Sequence, residues 1–190
     1  AIIPVDLFGV PARYRLIDSI AKKYNLKVIE DGAQSFGASI GDKKVGTFGD
    51  VAATSFYPAK PLGCYGDGGA MFTNDDSLAD KCKAIRIHGT SSDRYNSEVI
   101  GLNGRLDSMQ AAVLLEKMTI FDEELEMRNK VNDYYRKFLN NAQYIPKNYH
   151  SAHALFSITL SSHKKREELV GRLKKNNIPN VIYYKYPIHL

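Results

Sequence analysis

The stretch Leu26-Lys27-Val28-Ile29-Glu30-Asp31-Gly32 decides the fold, because a mostly apolar run ends there in two acids and a glycine. Upstream, Leu16, Ile17, Ile20, Ala21 and Tyr24 recur at helical spacing and predict an amphipathic helix over about 12–24, with Asn25 as its stop. Further upstream, Ile2-Ile3-Pro4-Val5 reads as a short buried strand, ended by the turn-like Phe8-Gly9-Val10-Pro11. With Leu26–Ile29 as the next strand, strand, helix and strand make a βαβ unit whose strands run parallel. Ligands of such sheets gather beyond the carboxyl ends of the strands, which is where Asp31 falls.

Downstream, glycines 32, 37, 41, 46 and 49 punctuate a loop that leads to a strand over Val51–Phe56. Tyr57-Pro58-Ala59-Lys60-Pro61 follows, and its two prolines exclude a regular helix and fix a rigid loop. Glycines 63, 66, 68 and 69 permit close backbone approach before a strand over Ala70–Thr73. Asn74-Asp75-Asp76 can cap a helix over about 76–87 carrying Leu78, Cys82 and Ile85 on one face. A polar stretch to Asn103 reads as surface loop. Helices are expected from Leu106 (Met109, Val113, Leu114) and from about Asp122 (Leu125, Val131, Tyr135, Phe138, Leu139). A polar connection over 140–153, a strand over Leu155–Leu160, a basic helix over 163–176 and a strand over Val181–Tyr184 complete the reading. A domain boundary is expected near 120, giving 1–120 as part of a large α/β domain and 121–190 as a small α+β domain.

Composition sets the limits. The 190 residues are 44% hydrophobic and 25% charged, which excludes a disordered chain and permits a sizeable core. No apolar run reaches the ~18 residues of a membrane span, so no membrane association is expected. Residues 128–190 carry 12 basic and 3 acidic side chains, within a net charge of +5 overall. Their helical spacing reads first as a solvated face and second as a surface for an anion such as a diphosphate. No nucleic-acid motif accompanies the charge, so a nucleic-acid partner is not expected. Two cysteines, Cys64 and Cys82, make neither a disulfide framework nor a zinc site, and read as free thiols of a reducing, cytoplasmic setting. No metal site is expected.

Lys60 stands out by its setting. It follows an apolar strand in a proline-bounded, glycine-flanked loop, and a partly buried lysine amine can attack a carbonyl to give a Schiff base. A pyridoxal phosphate site needs such a lysine, a carboxylate that keeps the pyridine nitrogen protonated, and donors for the phosphate. Asp31 can supply the carboxylate. At ~3 Å and an effective dielectric of ~20, that contact has a Coulomb scale of roughly 5 kcal/mol before desolvation. The residues alone leave Asp31 equally readable as a turn or cap residue.

The stretches Val28-Ile-Glu-Asp-Gly-Ala-Gln-Ser35, Thr54-Ser-Phe-Tyr-Pro-Ala-Lys-Pro-Leu-Gly63, Gly66-Asp-Gly-Gly69, Gly101-Leu-Asn-Gly-Arg105 and Gln110-Ala-Ala112 resemble the nucleotide-sugar aminotransferases of the DegT family. The closing Tyr183-Tyr-Lys-Tyr-Pro-Ile-His189 resembles that family's C-terminal motif. The resemblance covers essentially the whole chain. It implies the aspartate-aminotransferase-like fold (pyridoxal phosphate fold type I) and transfer of an amino group, with glutamate as the expected donor, onto a nucleotide-linked keto sugar for surface polysaccharide or glycan synthesis. The substrate would be UDP- or dTDP-linked, with wording closest to the branch acting on UDP-linked acetamido keto sugars.

By the same resemblance Lys60 is the lysine that carries the cofactor and later moves the substrate proton, and Asp31 is the partner of the pyridinium. Gln34 lies against the cofactor ring or its phenolic oxygen, and Ser55 binds the phosphate. Asn103 reaches the phosphate of a neighbouring subunit's cofactor, which implies a homodimer with shared active sites. Each has a plainer reading: a polar loop contact for Gln34, a solvent-facing strand hydroxyl for Ser55 and a turn for Asn103-Gly104. His88 ends a helix, where a histidine cation is favoured structurally. Arg105 is expected to pair with an acid such as Asp107, and Tyr184 and His189 resemble residues near a sugar-nucleotide entrance. Members of the family carry more than a hundred residues before the strand that opens this sequence, so a truncated aminotransferase is expected. Two other readings stand beside it: a non-catalytic dimerisation or binding module, and a related sugar dehydratase. A lysine at position 60, rather than histidine, favours transamination over dehydration.

Overall fold

The computed structural model describes residues 1–90, 93, 95–186 and 189. Its central sheet has three strands in the order β1 (Ile29–Asp31), β4 (Val51–Ser55), β5 (Gly69–Phe72). β1 and β4 are parallel, with Ile29, Glu30 and Asp31 opposite Val51, Ala52 and Ala53. β5 runs antiparallel to β4, pairing Gly69 with Ser55 and Phe72 with Ala52. A second sheet, missed by the sequence reading, joins β2 (Ser39–Ile40), β3 (Lys43–Lys44) and β6 (Tyr149–His150) in the order β3-β2-β6.

The opening segment does reach β1 in parallel, but only through single bridges, Ile2 to Val28 and Val5 to Asp31. Ile3 and Val5 are exposed, so this is not the buried strand expected. The proline at position 4 has no N–H for a continuous ladder. The strand expected over Leu26–Ile29 begins instead at Ile29 and runs to Asp31.

The helices follow the sequence closely. α1 spans Tyr14–Lys23 and stops where Asn25 takes a φ of 49°, with the amide of Leu26 bonded back to the Ala21 carbonyl. α2 spans Asp76–Arg86, capped by the Asp75 carboxylate accepting from the amide of Leu78 at 3.0 Å. α3 (Ser108–Met118) and α4 (Phe121–Arg136) are separated by Thr119 and Ile120. α5 spans His163–Lys175.

Two expected strands are absent. Within 155–160 only Ile158 forms a bridge, to Ala142. Val181–Tyr184 adopts coil and turn, and its aromatic rings meet side chains rather than a strand edge: Tyr183 lies 6.3 Å from the ring of Phe8.

The main apolar cluster joins Phe56, Leu62, Cys64, Leu114 and Phe121, with Phe36, Ala70, Leu106 and Leu125 against it. It spans the joint near 120 and takes in the loop that follows β4. Both cysteines are free, Cys64 buried and Cys82 half-buried. Among the described residues no helix is long and apolar enough to cross a membrane.

Candidate active site

The parallel register brings two of the expected site residues to one face. Asp31 is paired with Ala53, and neighbours across a ladder share a face. Ser55 lies two residues beyond Ala53, so it shares that face as well, at the same carboxyl end of the sheet. The backbone offset from Asp31 to Ser55 is about 4.8 Å across and about 6.6 Å along the strands. The opposite face belongs to Glu30, fully buried, whose carboxylate accepts from the backbone amides of Gly46 and Phe48. Sealing one acid of the pair below the sheet leaves the other, Asp31, half-buried above it. Its Oδ1 accepts from the amide of Ala33 at 3.1 Å, the turn contact the residues alone suggest. Ser55 Oγ accepts from the amide of Tyr57 at 3.3 Å.

Lys60 sits half-buried in a loop that is closed and pinned. The amide of Cys64 bonds to the Phe56 carbonyl at 2.8 Å, returning the chain to the end of β4, and the Lys60 amide bonds to the Tyr57 carbonyl at 2.9 Å. Leu62 and Cys64 are each 1% exposed and anchor the loop in the apolar cluster. Two cations hold its outer carbonyls: Lys117 Nζ of α3 donates to Gly63 O at 2.7 Å, and Arg128 Nη2 of α4 to Pro61 O at 3.1 Å. Neither cation was singled out from the sequence. A contact between residues 54 or 67 positions apart leaves no local pattern to read.

Behind the Asp31 turn lies a buried polar network, also missed. Asp6 is fully buried, with Oδ1 accepting from the amide of Ala12 and the hydroxyl of Tyr14, both at 2.8 Å, and Oδ2 from Ser35 Oγ at 2.9 Å. Burial pushes the Asp6 carboxyl up to about 6, against the lowering effect of those three bonds. Burial, then the Asp6 charge, pushes the Tyr14 phenol up as well. The network grips the turn from below, because Asp6 N also donates to Asp31 O at 3.0 Å. The signal available in sequence was an acid inside an apolar opening segment.

Gln34 is engaged at both ends of its amide. Oε1 accepts from Phe8 N at 2.7 Å, and Nε2 donates to the Tyr184 hydroxyl at 3.2 Å. The C-terminal motif therefore lies beside the Asp31 turn, 150 residues away in sequence. Asn103 stands apart from these groups: it is exposed, bridged to Ile87 beyond α2, with Oδ1 accepting from Arg105 Nε at 3.0 Å. Arg105 thus bonds Asn103 rather than an acid. His88 is exposed with a φ of 59°, its amide bonded to Leu102 O, and His189 is exposed. A shallow cleft lined by Ser39, Asp42, Lys44, Leu125, Asn129 and His150 lies elsewhere, between the small sheet and α4.

The donor set fits pyridoxal phosphate: a carboxylate and a hydroxyl on one sheet face, and a lysine on a loop returned to the same sheet end. Asp31 would face the ring nitrogen, Ser55 the phosphate and Lys60 the aldehyde carbon.

A family model described as the DegT/DnrJ/EryC1/StrS aminotransferase family matches residues 1–190. A Pseudomonas aeruginosa protein named UDP-2-acetamido-2-deoxy-3-oxo-D-glucuronate aminotransferase is 44% identical over 193 residues, covering 100% of this chain and 53% of its own length. A crystal structure of a DegT DnrJ EryC1 StrS aminotransferase from Brucella abortus superposes with a TM-score of 0.94 at 49% identity, over 100% of this chain and 51% of the other. A Bacillus subtilis structure, NtdA with bound cofactor PMP, superposes with a TM-score of 0.83 at 28% identity, over 97% of this chain and 43% of the other. The chain spans about half the length of the relatives it matches.

Proposed function

The chain belongs to the DegT/DnrJ/EryC1/StrS aminotransferase family, with the pyridoxal phosphate fold type I of its solved neighbours, and from that premise we propose that it carries the lysine-bearing half of a nucleotide-sugar aminotransferase. In this reading residues 1–120 belong to the large, cofactor-binding domain and 121–190 to the small domain. The reaction moves an amino group from glutamate onto a keto group of a UDP- or dTDP-linked sugar for glycan synthesis. The acetamido keto sugar named for the Pseudomonas relative makes a UDP-linked acetamido keto sugar the first choice. The observation that carries the reading is the shared face of Asp31 and Ser55, with the Lys60 loop bonded back to the same end of β4.

When bound, pyridoxal phosphate supplies an electron sink and a carrier for the amino group. The residues of this chain do the rest. Asp31, held by the turn to Ala33 and by the buried network below, would set its carboxylate against the ring nitrogen. Ser55 offers a hydroxyl to the phosphate. Lys60 would hold the group through its aldehyde carbon, and its free amine would take and return the proton at the substrate carbon. Gln34, fixed by Phe8 and Tyr184, walls the ring side of the site. Asn103, exposed and bonded by Arg105, reaches in this reading the phosphate of a second copy in a homodimer.

The test is chemical. The protein is mixed with pyridoxal phosphate, reduced with borohydride and digested, and the modified peptide is located by mass spectrometry. Modification of Lys60, its loss in Lys60→Ala, and release of 2-oxoglutarate on adding glutamate are the expected results. A folded, dimeric protein with no label on Lys60 would leave only a non-catalytic module. Label on Lys60 without conversion of glutamate would point to a different reaction of the same cofactor.

A further inference from the structure

Arg128 lies in α4, on the far side of the joint at 119–120 from every residue assigned to the cofactor. Its side chain is about one-third exposed and its Nη2 donates to Pro61 O at 3.1 Å, with Glu124 Oε2 at 3.6 Å one turn earlier. Its Nη1 is buried and has no hydrogen-bond partner among the described residues. A guanidinium stays charged in proteins, so this arrangement keeps a cation partly desolvated and one of its donors unsatisfied. The carbonyl in question belongs to the residue after Lys60, and the same loop receives a second cation, Lys117, at Gly63 O.

The consequence is geometric. Proline at 61 fixes φ on one side of the held carbonyl, and the bond to Arg128 fixes the peptide plane on the other. Held also by Cys64 N to Phe56 O, the Lys60 backbone has little freedom to shift against β4 and hence against Asp31 and Ser55. Attack on a carbonyl carbon tolerates misplacement of about 1 Å only at a cost of up to about 100-fold in rate.

We propose that Arg128 is a positioning residue for Lys60, through which the segment beyond 120 sets the reach of the catalytic amine; the inference rests on the cofactor reading above. Three full-length variants test it: Arg128→Met, which keeps the apolar stem, Arg128→Lys, which keeps one charged donor, and Arg128→Gln, which keeps a neutral amide. The readouts are the fraction of Lys60 trapped by borohydride at saturating pyridoxal phosphate, kcat and KM for the amino donor, and thermal unfolding. In Arg128→Met, trapped Lys60 and kcat are expected to fall about tenfold with KM unchanged, and Arg128→Lys to recover part of both. A folded Arg128→Met that traps Lys60 and turns over as the parent does, with only its melting temperature lowered, overturns the proposal. Where Arg128→Met does not fold, Arg128→Gln carries the same expectation, and parental trapping and turnover there overturn the proposal too. Failure of the parent itself to label at Lys60 refutes the cofactor reading, a result distinct from parental labelling that Arg128→Met leaves unchanged.

Discussion

Ser35 Oγ donates to Asp6 Oδ2 at 2.9 Å, between two side chains that are both fully buried. The bond ties the opening segment to the turn that carries Asp31 and Gln34, so the acid under the site is a structural element of it.

That burial has a pH signature. The Asp6 carboxyl is raised from 3.8 to about 6 in the fold. A raised acid binds its proton more tightly folded than unfolded, so its contribution is favourable below about 4 and is lost as pH rises through about 6. The full difference is on the order of 3 kcal/mol. Asp6→Asn removes the titration while keeping an acceptor for Ala12 N and Tyr14. Urea unfolding at pH 4, 5, 6 and 7 should show the parent losing stability relative to Asp6→Asn as pH rises. A difference between the two that stays flat across this range would refute the assignment.

Gly63 has no room for a side chain. A Cβ there would lie 2.6 Å from Pro58 O and 2.7 Å from Tyr57 O, both backbone atoms of the Lys60 loop. Gly63→Ala must therefore move the loop or the strand end, and overpacking of this kind costs about 1–3 kcal/mol. The expected outcome is a lowered melting temperature together with reduced borohydride trapping of Lys60. Parental values of both would show that the loop is slack.

Leu62 is 1% exposed and packs with Phe56, Cys64, Leu114 and Phe121. Truncating a leucine in such a cluster costs about 2–5 kcal/mol by transfer and cavity terms. Leu62→Ala should lose stability in that range by urea unfolding, and a loss below about 0.5 kcal/mol would contradict the packing.

What the sequence made legible follows from how local each cause is. α1 and α2 show in the text because a 3.6-residue apolar period, a stop at Asn25 and a cap at Asp75 act within a few residues. β2, β3 and β6 have two residues each, too few to display any period. Periodicity also marks an apolar face without saying what covers it: Leu16, Ile20 and Tyr24 of the expected α1 stripe are 55%, 49% and 61% exposed, while Tyr14 and Ala21 are buried. For the site, Asp31 and Lys60 could be picked out by their place after strands. Ser55, Gln34 and Asn103 came only with the family resemblance. Asp6 left only the signal of an acid inside an apolar opening segment, and Lys117 and Arg128 left none, because they act across 54 and 67 residues.

Asp31 serves the turn through an oxygen and the proposed chemistry through a charge. Among the described residues its side chain accepts one hydrogen bond, the 3.1 Å bond from Ala33 N, which an asparagine oxygen can also accept. Asp31→Asn should therefore leave the melting temperature within the small range of surface substitutions, about 0.5 kcal/mol. The pyridinium reading assigns the charge a different task, since an amide cannot hold a proton on the ring nitrogen. Removing one preorganised electrostatic group at a reacting centre typically costs about 100- to 1,000-fold in turnover. The full-length variant is expected to keep its fold and its label on Lys60 while losing turnover by at least that lower factor. Near-parental turnover in Asp31→Asn would remove the carboxylate from the mechanism, and a large fall in stability would reassign it to the turn.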